Sequence, residues 1–288
     1  MIRRLANLFR VEGFKWIAPA MIVLVALSVY PLLYSVKVSL TSASGAFTLA
    51  HFRRLLDDRI LFAAAWQTLL FTVAALAIEF ALGLGLALLV DSLGKARGFF
   101  RAGLLAPMLL PPVVAAVAWR LIYNPQFGAL NGTLRLLGFD TTRLTWTSGQ
   151  SSALFSVILV DIWEWTPFLF LLLSAGLQAI PVEPVEAARI DGAGAWRIFC
   201  DVTLPLLKPT ILLALLLRGM DLVRIFDQIF ILTQGGPGTA TETLSLYIYR
   251  TAFRFSNFGY AAAMSFVLLA VATFASRRLI RAMGPRRA

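Results

Sequence analysis

The chain has 288 residues, of which 59% are apolar and only 14% are charged, and its mean hydropathy is +0.79. Charged residues make up about 25% of a soluble domain, so this composition excludes a soluble globular protein and indicates an integral membrane protein. The net charge of +11 does not gather into one basic stripe with interleaved aromatic residues, which argues against nucleic-acid binding.

The first predicted element is a membrane span from about residue 17 to 36. Basic residues precede it in the segment 1–15, which we expect to be a cytoplasmic N-terminus: Arg3, Arg4, Arg10 and Lys15. The apolar run is longer than the roughly 7–15 residues of a signal-peptide core, so we predict a retained span. Residues 16–288 then form one transmembrane domain.

Five further apolar runs predict five more spans and an all-α polytopic fold. They cover about residues 61–90, 103–123, 153–177, 211–233 and 260–275. The third contains Pro107, Pro111 and Pro112, which should break its hydrogen-bond ladder. We therefore expect that span to be packed inside a bundle, where neighbouring protein can satisfy the freed backbone groups.

The distribution of basic residues predicts the orientation of the chain. With six spans, the side that holds both termini carries fifteen Lys and Arg residues, and the opposite side carries eight. By the positive-inside rule both termini are cytoplasmic, together with the loop from residue 181 to 209.

The loop 181–209 is the longest charged segment in the second half of the chain. Pro184 suits the first turn of a helix, and Asp191-Gly192 is a typical helix stop. A second short helix is predicted from Gly194, with a break at Leu204-Pro205. The result would be two short helices joined by a bend.

Three features of this loop keep a fixed spacing: Glu186-Ala187-Ala188, Gly192 six positions after the glutamate, and Val202-x-Leu204-Pro205. This pattern resembles the EAA loop of membrane permeases in binding-protein-dependent ABC importers, which usually has Ile where Val202 stands. The flanks extend the resemblance to the sugar-importing branch, close to maltose- and trehalose-type permeases. They are Tyr30-Pro31, the segment 232–237, Thr243-Leu244, Tyr247-Ile248-Tyr249 and Ala252-Phe253.

The resemblance implies a type I ABC importer permease fold and a set of partners. These are a second permease, two ATPase subunits whose clefts receive the EAA helices, and an extracytoplasmic solute-binding protein. The residues implied in ATPase coupling are Glu186, Ala187, Ala188, Asp191, Gly192, Gly194, Leu204 and Pro205. ATP and Mg would be bound by the ATPases, with no cofactor in this chain.

The residues themselves argue against catalysis here. The sequence has no Gly-x4-Gly-Lys-Ser/Thr phosphate loop and no Gly-x-Ser-x-Gly elbow. His51 is the only histidine and Cys200 the only cysteine, so we expect no catalytic triad and no metal site.

The fifth span holds the least lipid-like residues of the chain. Arg218, Asp221, Arg224 and Asp227 stand three apart and are followed by Gln228. Charges at membrane depth should face protein or a water-filled cavity. They are interpreted either as the lining of a substrate pathway or as a structural ion-pair ladder, because steps of three keep neighbours within reach.

A second polar cluster lies in the fourth span, where Asp161, Trp163, Glu164 and Trp165 are close in sequence. Indole rings pack on the C–H faces of sugars and carboxylates accept from hydroxyl groups, so the cluster suits a carbohydrate. An interfacial aromatic belt is the alternative. Glu79 and Arg120 are further candidates, although Arg120 can simply extend to the interface.

Gly235, Gly236 and Pro237 predict a turn beyond the fifth span. The family resemblance implies that this turn contacts the solute-binding protein.

Three function classes stay open from the sequence. The first is import of a di- or oligosaccharide such as trehalose or maltose, with a glycerol-phosphate ABC permease as a close variant. The second is a gradient-driven transporter in which the acids and arginines of the fifth span relay protons, and the third is a membrane scaffold.

Overall fold

A computed structural model of the chain describes residues 14–42, 44–93, 97–142 and 144–283. The basic residues Arg3, Arg4 and Arg10 lie outside them, as does most of the predicted N-terminal segment 1–15. The described residues contain no β-strand, only one antiparallel bridge between Thr41 and Phe47, which confirms the all-α prediction. The helices are α1 Phe14–Ser39, α2 Ala50–Arg54, α3 Arg59–Asp91, α4 Arg97–Leu105, α5 Pro112–Ile122, α6 Ala129–Leu136, α7 Ser152–Gln178, α8 Val182–Ile190, α9 Ala195–Ile198, α10 Leu204–Leu222, α11 Asp227–Leu232, α12 Leu244–Tyr249 and α13 Phe258–Met283.

The chain divides into two compact units. The first comprises the described residues up to 58 together with 248–267, and it contains α1 and α2. Within this unit the Tyr260 hydroxyl donates to Asp58 Oδ2, and the Arg54 guanidinium lies 4.4 Å from the centre of the Tyr260 ring. These contacts attach the segment after α2 to the start of α13.

Five helical segments of the described residues are long and apolar enough to cross a membrane. They are Trp16–Ser39, Arg59–Asp91, Ser152–Gln178, Ala195–Leu232 and Phe258–Arg278. At 33 residues α3 is roughly 50 Å long, which exceeds the hydrocarbon thickness of about 30 Å.

The crossing predicted for residues 103–123 is divided between α4 and α5. α4 ends at Leu105, a 3-10 turn covers Pro107–Leu109, and α5 begins at Pro112. The missing N–H groups of the prolines and the extended conformation of Leu110 account for the interruption. The expected break is therefore confirmed.

The second unit, which comprises residues 59–247 and 268–283 of the described chain, is built around α3 and α7, which pack along each other. Gly83 on α3 is the point of closest approach, because a Cβ at this position would lie 3.0 Å from Leu169 Cβ and 3.1 Å from the Phe170 backbone nitrogen. α10 packs against both helices, and α11 packs against α5. This arrangement brings the polar residues of α3, α7 and α10 together.

The predicted fifth span, 211–233, differs from the structure. α10 starts earlier, at Leu204, and ends at Leu222, and a separate α11 starts at Asp227. The backbone hydrogen bonds change their spacing after the end of α10, since Arg224 and Ile225 donate their N–H groups to carbonyls three residues back and not four. Such a change to 3-10 bonding is a common way for a helix to terminate.

The break predicted at Leu204-Pro205 does not occur. Instead, α9 continues into α10 through one π-helical turn, Phe199–Thr203. Proline lacks the N–H for the regular bond and its ring clashes with the carbonyl four residues back. The wider π turn precedes Pro205 and accommodates it near the start of α10 without interrupting the helical path.

Candidate functional site

Arg218, on α10, lies at the centre of a buried ion-pair network in the second unit. Its Nε donates to Glu79 Oε2 on α3 at 2.8 Å, and its Nη2 donates to Glu79 Oε1 at 2.9 Å. Nη2 also donates to Asp161 Oδ2 on α7, and Nη1 donates to Asp221 Oδ2 at 2.8 Å. We call these four side chains the Arg218 network.

Burial distinguishes the members of the Arg218 network. The side chains of Arg218, Glu79 and Asp161 are at most 1% exposed, whereas the side chain of Asp221 is 52% exposed. A planar guanidinium offers five N–H donors in a fixed fork, so it can bind three carboxylates at once. The network therefore links α3, α7 and α10 and reaches the surface at Asp221.

A second polar pair lies beside the network. Gln228 Nε2, on α11, donates to Glu164 Oε2, on α7, at 2.7 Å, and both side chains are buried. Three oxygen atoms in this region are buried and have no hydrogen-bond partner among the described residues: Asp161 Oδ1, Glu164 Oε1 and Gln228 Oε1. Buried polar atoms are seldom left unpaired, so these oxygens mark a place that can receive hydrogen-bond donors.

The two tryptophans of the predicted carbohydrate cluster point to different neighbours. Trp165 joins the network, since its ring centre lies 4.9 Å from Arg218 Cζ. Trp163 instead makes an edge contact with Trp119 on α5 at 5.6 Å and is 38% exposed. Residues two apart on a helix do not share a face. The structure thus brings Asp161, Glu164 and Trp165 close to one another and separates Trp163 from them.

The predicted ladder on the fifth span stops after its first pair. Arg218 and Asp221 form an ion pair, but Arg224 Nε donates to the Met220 carbonyl at 3.2 Å. Arg224 and Asp227 are exposed, and neither forms an ion pair within the described part of the chain. α10 ends at Leu222, before both residues, so the regular three-residue spacing no longer keeps their side chains adjacent.

Among the functional candidates, Glu79 is the one whose partner was hardest to infer from the sequence. It is one acidic residue within the apolar α3, and it makes two of the four hydrogen bonds of Arg218. A lone carboxylate in a membrane span implies a buried cationic partner, but the sequence did not identify which one. Arg120, the other further candidate, donates to the Ile231 carbonyl at 3.4 Å and so joins α5 to α11.

The loop predicted to couple to an ATPase forms a bent pair of short helices. Gly192 follows α8 in the left-handed conformation, with φ of +79°, and the Ala193 N–H donates to the Ala188 carbonyl at 3.0 Å. Together with the bond from the Gly192 N–H to the Arg189 carbonyl, this is a Schellman motif. It turns the chain towards Gly194, which precedes α9 in an extended conformation.

Most of the predicted coupling residues are on the surface. Glu186, Ala187, Asp191, Gly192, Gly194 and Pro205 are exposed, and Ala188 and Leu204 are half-buried. Two large apolar side chains of the same loop are also exposed, Ile190 by 86% and Trp196 by 76%. An exposed apolar surface of this kind is typical of a protein contact.

The turn predicted to meet a binding protein is tightly held. The Thr241 hydroxyl donates to the Gly236 carbonyl at 2.9 Å and lies 2.7 Å from the Thr233 hydroxyl. Gly235 is buried, with φ of +81°, whereas Gly236 and Pro237 are half-buried. Gly238 and Thr239 are the exposed residues of this turn.

Two curated proteins are similar to the chain over most of its length. The trehalose/maltose transport system permease protein MalF of Thermococcus litoralis is 41% identical over 73% of this chain and 70% of its own length. The trehalose transport system permease protein SugA of Mycobacterium tuberculosis is 36% identical over 95% of this chain and 90% of its own length.

A solved structure has the same fold. It is a bacterial ABC transporter involved in the import of the acidic polysaccharide alginate, matched with a TM-score of 0.81 at 23% identity over 97% of this chain and 99% of the other. Residues 79–288 match the family described as binding-protein-dependent transport system inner membrane component. This match covers the Arg218 network, the bent loop and α13, and the chain belongs to that family.

Proposed function

We propose that the chain is the permease subunit of an ATP-driven sugar importer and forms half of its translocation pathway. The observation that carries the proposal is one helical path, from α9 through the π turn into α10, which joins the exposed loop to the buried Arg218. A movement of the loop can therefore reach the polar centre directly. The related permeases named for trehalose and maltose support a di- or oligosaccharide as substrate.

The proposed assembly contains this chain, a second permease, two ATPase subunits and an extracytoplasmic solute-binding protein. Membership of a binding-protein-dependent family supports the ATPase and the binding protein. A second permease is supported by Asp221, Arg224 and Asp227, whose exposure on membrane helices requires a polar neighbour or water. ATP and Mg would be bound by the ATPase subunits.

The loop would transmit the conformational change driven by ATP hydrolysis to the membrane helices. α8, with Glu186 as its charged contact and Ala187 and Ala188 as small residues that permit close approach, would lie in a cleft of the ATPase. The exposed Ile190 and Trp196 offer an apolar surface to the same partner. A groove of about 320 Å³, which Glu186, Arg189 and Thr203 help to line, runs between this loop and the end of α3.

The polar residues of α7, α10 and α11 would line the pathway on this side. Carboxylates at Asp161, Glu164, Asp221 and Asp227 can accept hydrogen bonds from sugar hydroxyls, and Gln228 can both donate and accept. The indole ring of Trp165 can pack against the C–H face of a sugar. In the conformation described here, Glu164 and Gln228 are bonded to each other and buried, so a sugar reaches them only after the helices move.

The proposed location is the cytoplasmic membrane of a bacterium or archaeon, with both termini and the loop 181–209 on the cytoplasmic side. The excess of basic residues on that side supports this orientation. It places the loop where an ATPase can bind it.

Uptake into proteoliposomes tests the proposal. The complete transporter, reconstituted with its binding protein, should accumulate radiolabelled trehalose or maltose only with ATP and Mg inside. A protonophore should leave the initial rate unchanged. Uptake that is abolished by the protonophore, or that proceeds with this chain alone and no ATPase, would overturn the proposal in favour of a gradient-driven transporter.

A further inference from the structure

The exposed face of α10 forms one stripe. Leu213, Leu217, Met220 and Asp221 follow the spacing of a helix face, and all four are exposed. Arg224, also exposed, follows just beyond the end of the helix. The charged end of the stripe lies over the Arg218 network, because Asp221 belongs to both. A solute that moves along this face therefore meets the electric field of the network.

Acidic side chains outnumber basic ones in that region. Glu79, Asp161 and Asp221 share the single guanidinium of Arg218, and the buried Glu164 is bonded only to an uncharged amide. The exposed charges next along the chain, Arg224 and Asp227, offset each other. Three carboxylates thus take four of the five N–H donors of Arg218, which leaves one Nη1 N–H without a partner among the described residues, and Glu164 is a fourth carboxyl group in the same region.

The unpaired atoms of the region point to the same ligand chemistry. Asp161 Oδ1, Glu164 Oε1 and Gln228 Oε1 are all hydrogen-bond acceptors that have no donor among the described residues. Hydroxyl groups can supply donors to them, whereas carboxylate, sulfonate and phosphate oxygens cannot.

We propose that this half of the pathway is selective by charge, so that it carries an uncharged, hydroxyl-rich solute and repels anions such as uronic acids and polyol phosphates. The inference rests on the proposed function and refines its substrate class. It separates an uncharged sugar from glycerol phosphate, which shares the hydroxyl groups but carries negative charge. A shared overall fold does not determine this charge selectivity, because the selectivity depends on which side chains line the exposed face of α10.

The local potential can be measured at a single cysteine, independently of the preference of the binding protein. Cys200 is first replaced by serine, and Leu217→Cys then puts a thiol on the stripe, one helical turn before Asp221. The reconstituted transporter is treated with two thiol reagents of similar size, the cationic trimethylammonium-ethyl and the anionic sulfonatoethyl methanethiosulfonate. Their rate ratio is compared with the ratio for free 2-mercaptoethanol.

We expect the cationic reagent to be favoured at Leu217→Cys by about tenfold over its ratio with the free thiol, the size of effect that one nearby unit charge produces in a partly hydrated site. Adding Asp221→Asn or, independently, Asp227→Asn should reduce the preference several-fold. Leu137→Cys, at a residue that is 68% exposed outside the stripe, serves as the matched control with a ratio near that of the free thiol.

The outcomes separate the inference from the function on which it rests. A thiol at position 217 that reacts equally with both reagents, or faster with the anion, overturns charge selectivity and leaves the pathway in place. A thiol that reacts with neither reagent in any nucleotide state overturns the assignment of this stripe to the pathway. ATP-driven uptake in the same vesicles reports separately on sugar import.

Discussion

Glu79 and Arg218 are 139 residues apart in the sequence and meet through two parallel hydrogen bonds of 2.8 and 2.9 Å. Both side chains are almost completely buried. This pair fixes α10 to α3 at membrane depth, while Asp161 on α7 accepts from the same guanidinium. The relationship makes Arg218 the residue on which the packing of three helices depends.

Replacement of Arg218 should therefore destabilise the protein strongly. Arg218→Leu leaves Glu79 and Asp161 buried without their cation, and breaking a buried ion pair in this way typically costs about 3–5 kcal/mol. We expect a large fall in the thermal unfolding midpoint of the detergent-purified transporter. Arg224→Leu is the matched control, because Arg224 is exposed, donates to the nearby Met220 carbonyl and forms no ion pair within the described residues. Equal midpoints for the two variants would contradict the structural role of the network.

The close approach of α3 and α7 gives a second prediction. Gly83→Ala puts a methyl group 3.0 Å from Leu169 Cβ and 3.1 Å from the Phe170 backbone, so the helices must separate. Overpacking of this kind typically costs about 1–3 kcal/mol. Gly85→Ala, two residues along the same helix, meets no atom within 4 Å and should be neutral or slightly stabilising. The same thermal unfolding assay compares them, and a similar loss in both would show that the close contact of Gly83 with α7 is not the cause.

The sequence predicted the features that depend on local chemistry. Long apolar runs located the spans, prolines located the break before α5, and Asp191-Gly192 located the end of α8. It did not predict the pairing of Arg218 with Glu79, because helical periodicity identifies neighbours within a helix and not between helices. Of the two interpretations of the fifth span, the ion-pair ladder extends only from Arg218 to Asp221, since α10 ends at Leu222.

The π turn could not be predicted from the residue pattern either. Leu204-Pro205 indicates a helix break in an isolated segment, but in the structure the wider turn Phe199–Thr203 absorbs the misfit of the proline. As a result the helical path from α9 to α10 is continuous, which the residue pattern alone does not show. Similarly, Trp163 and Trp165 are close in sequence but face different helices.

The bend of the loop can be tested through its glycines. Gly192 has φ of +79°, and no atom crowds its Cβ position, so Gly192→Ala should act only through the conformational cost of about 1–2 kcal/mol for a left-handed residue. We expect a weaker stimulation of ATP hydrolysis by substrate-loaded binding protein. Gly194→Ala is the control, since Gly194 has φ of −69° and is equally uncrowded. If both variants keep wild-type stimulation, the bend is not required for coupling.

Charge reversal on α8 tests whether Glu186 is the contact with the ATPase. Glu183 and Glu186 are both exposed and lie one turn apart on the same short helix, so they differ in position and not in chemistry. Glu186→Lys should weaken co-purification of the ATPase subunits and reduce ATP-driven uptake at least tenfold, because repulsion replaces attraction at a partly desolvated contact. Glu183→Lys should have a much smaller effect if the cleft encloses Glu186 alone. Full uptake by the Glu186→Lys transporter would mean that the ATPase binds another part of the loop. The exposed Ile190 and Trp196 would then be the next residues to replace.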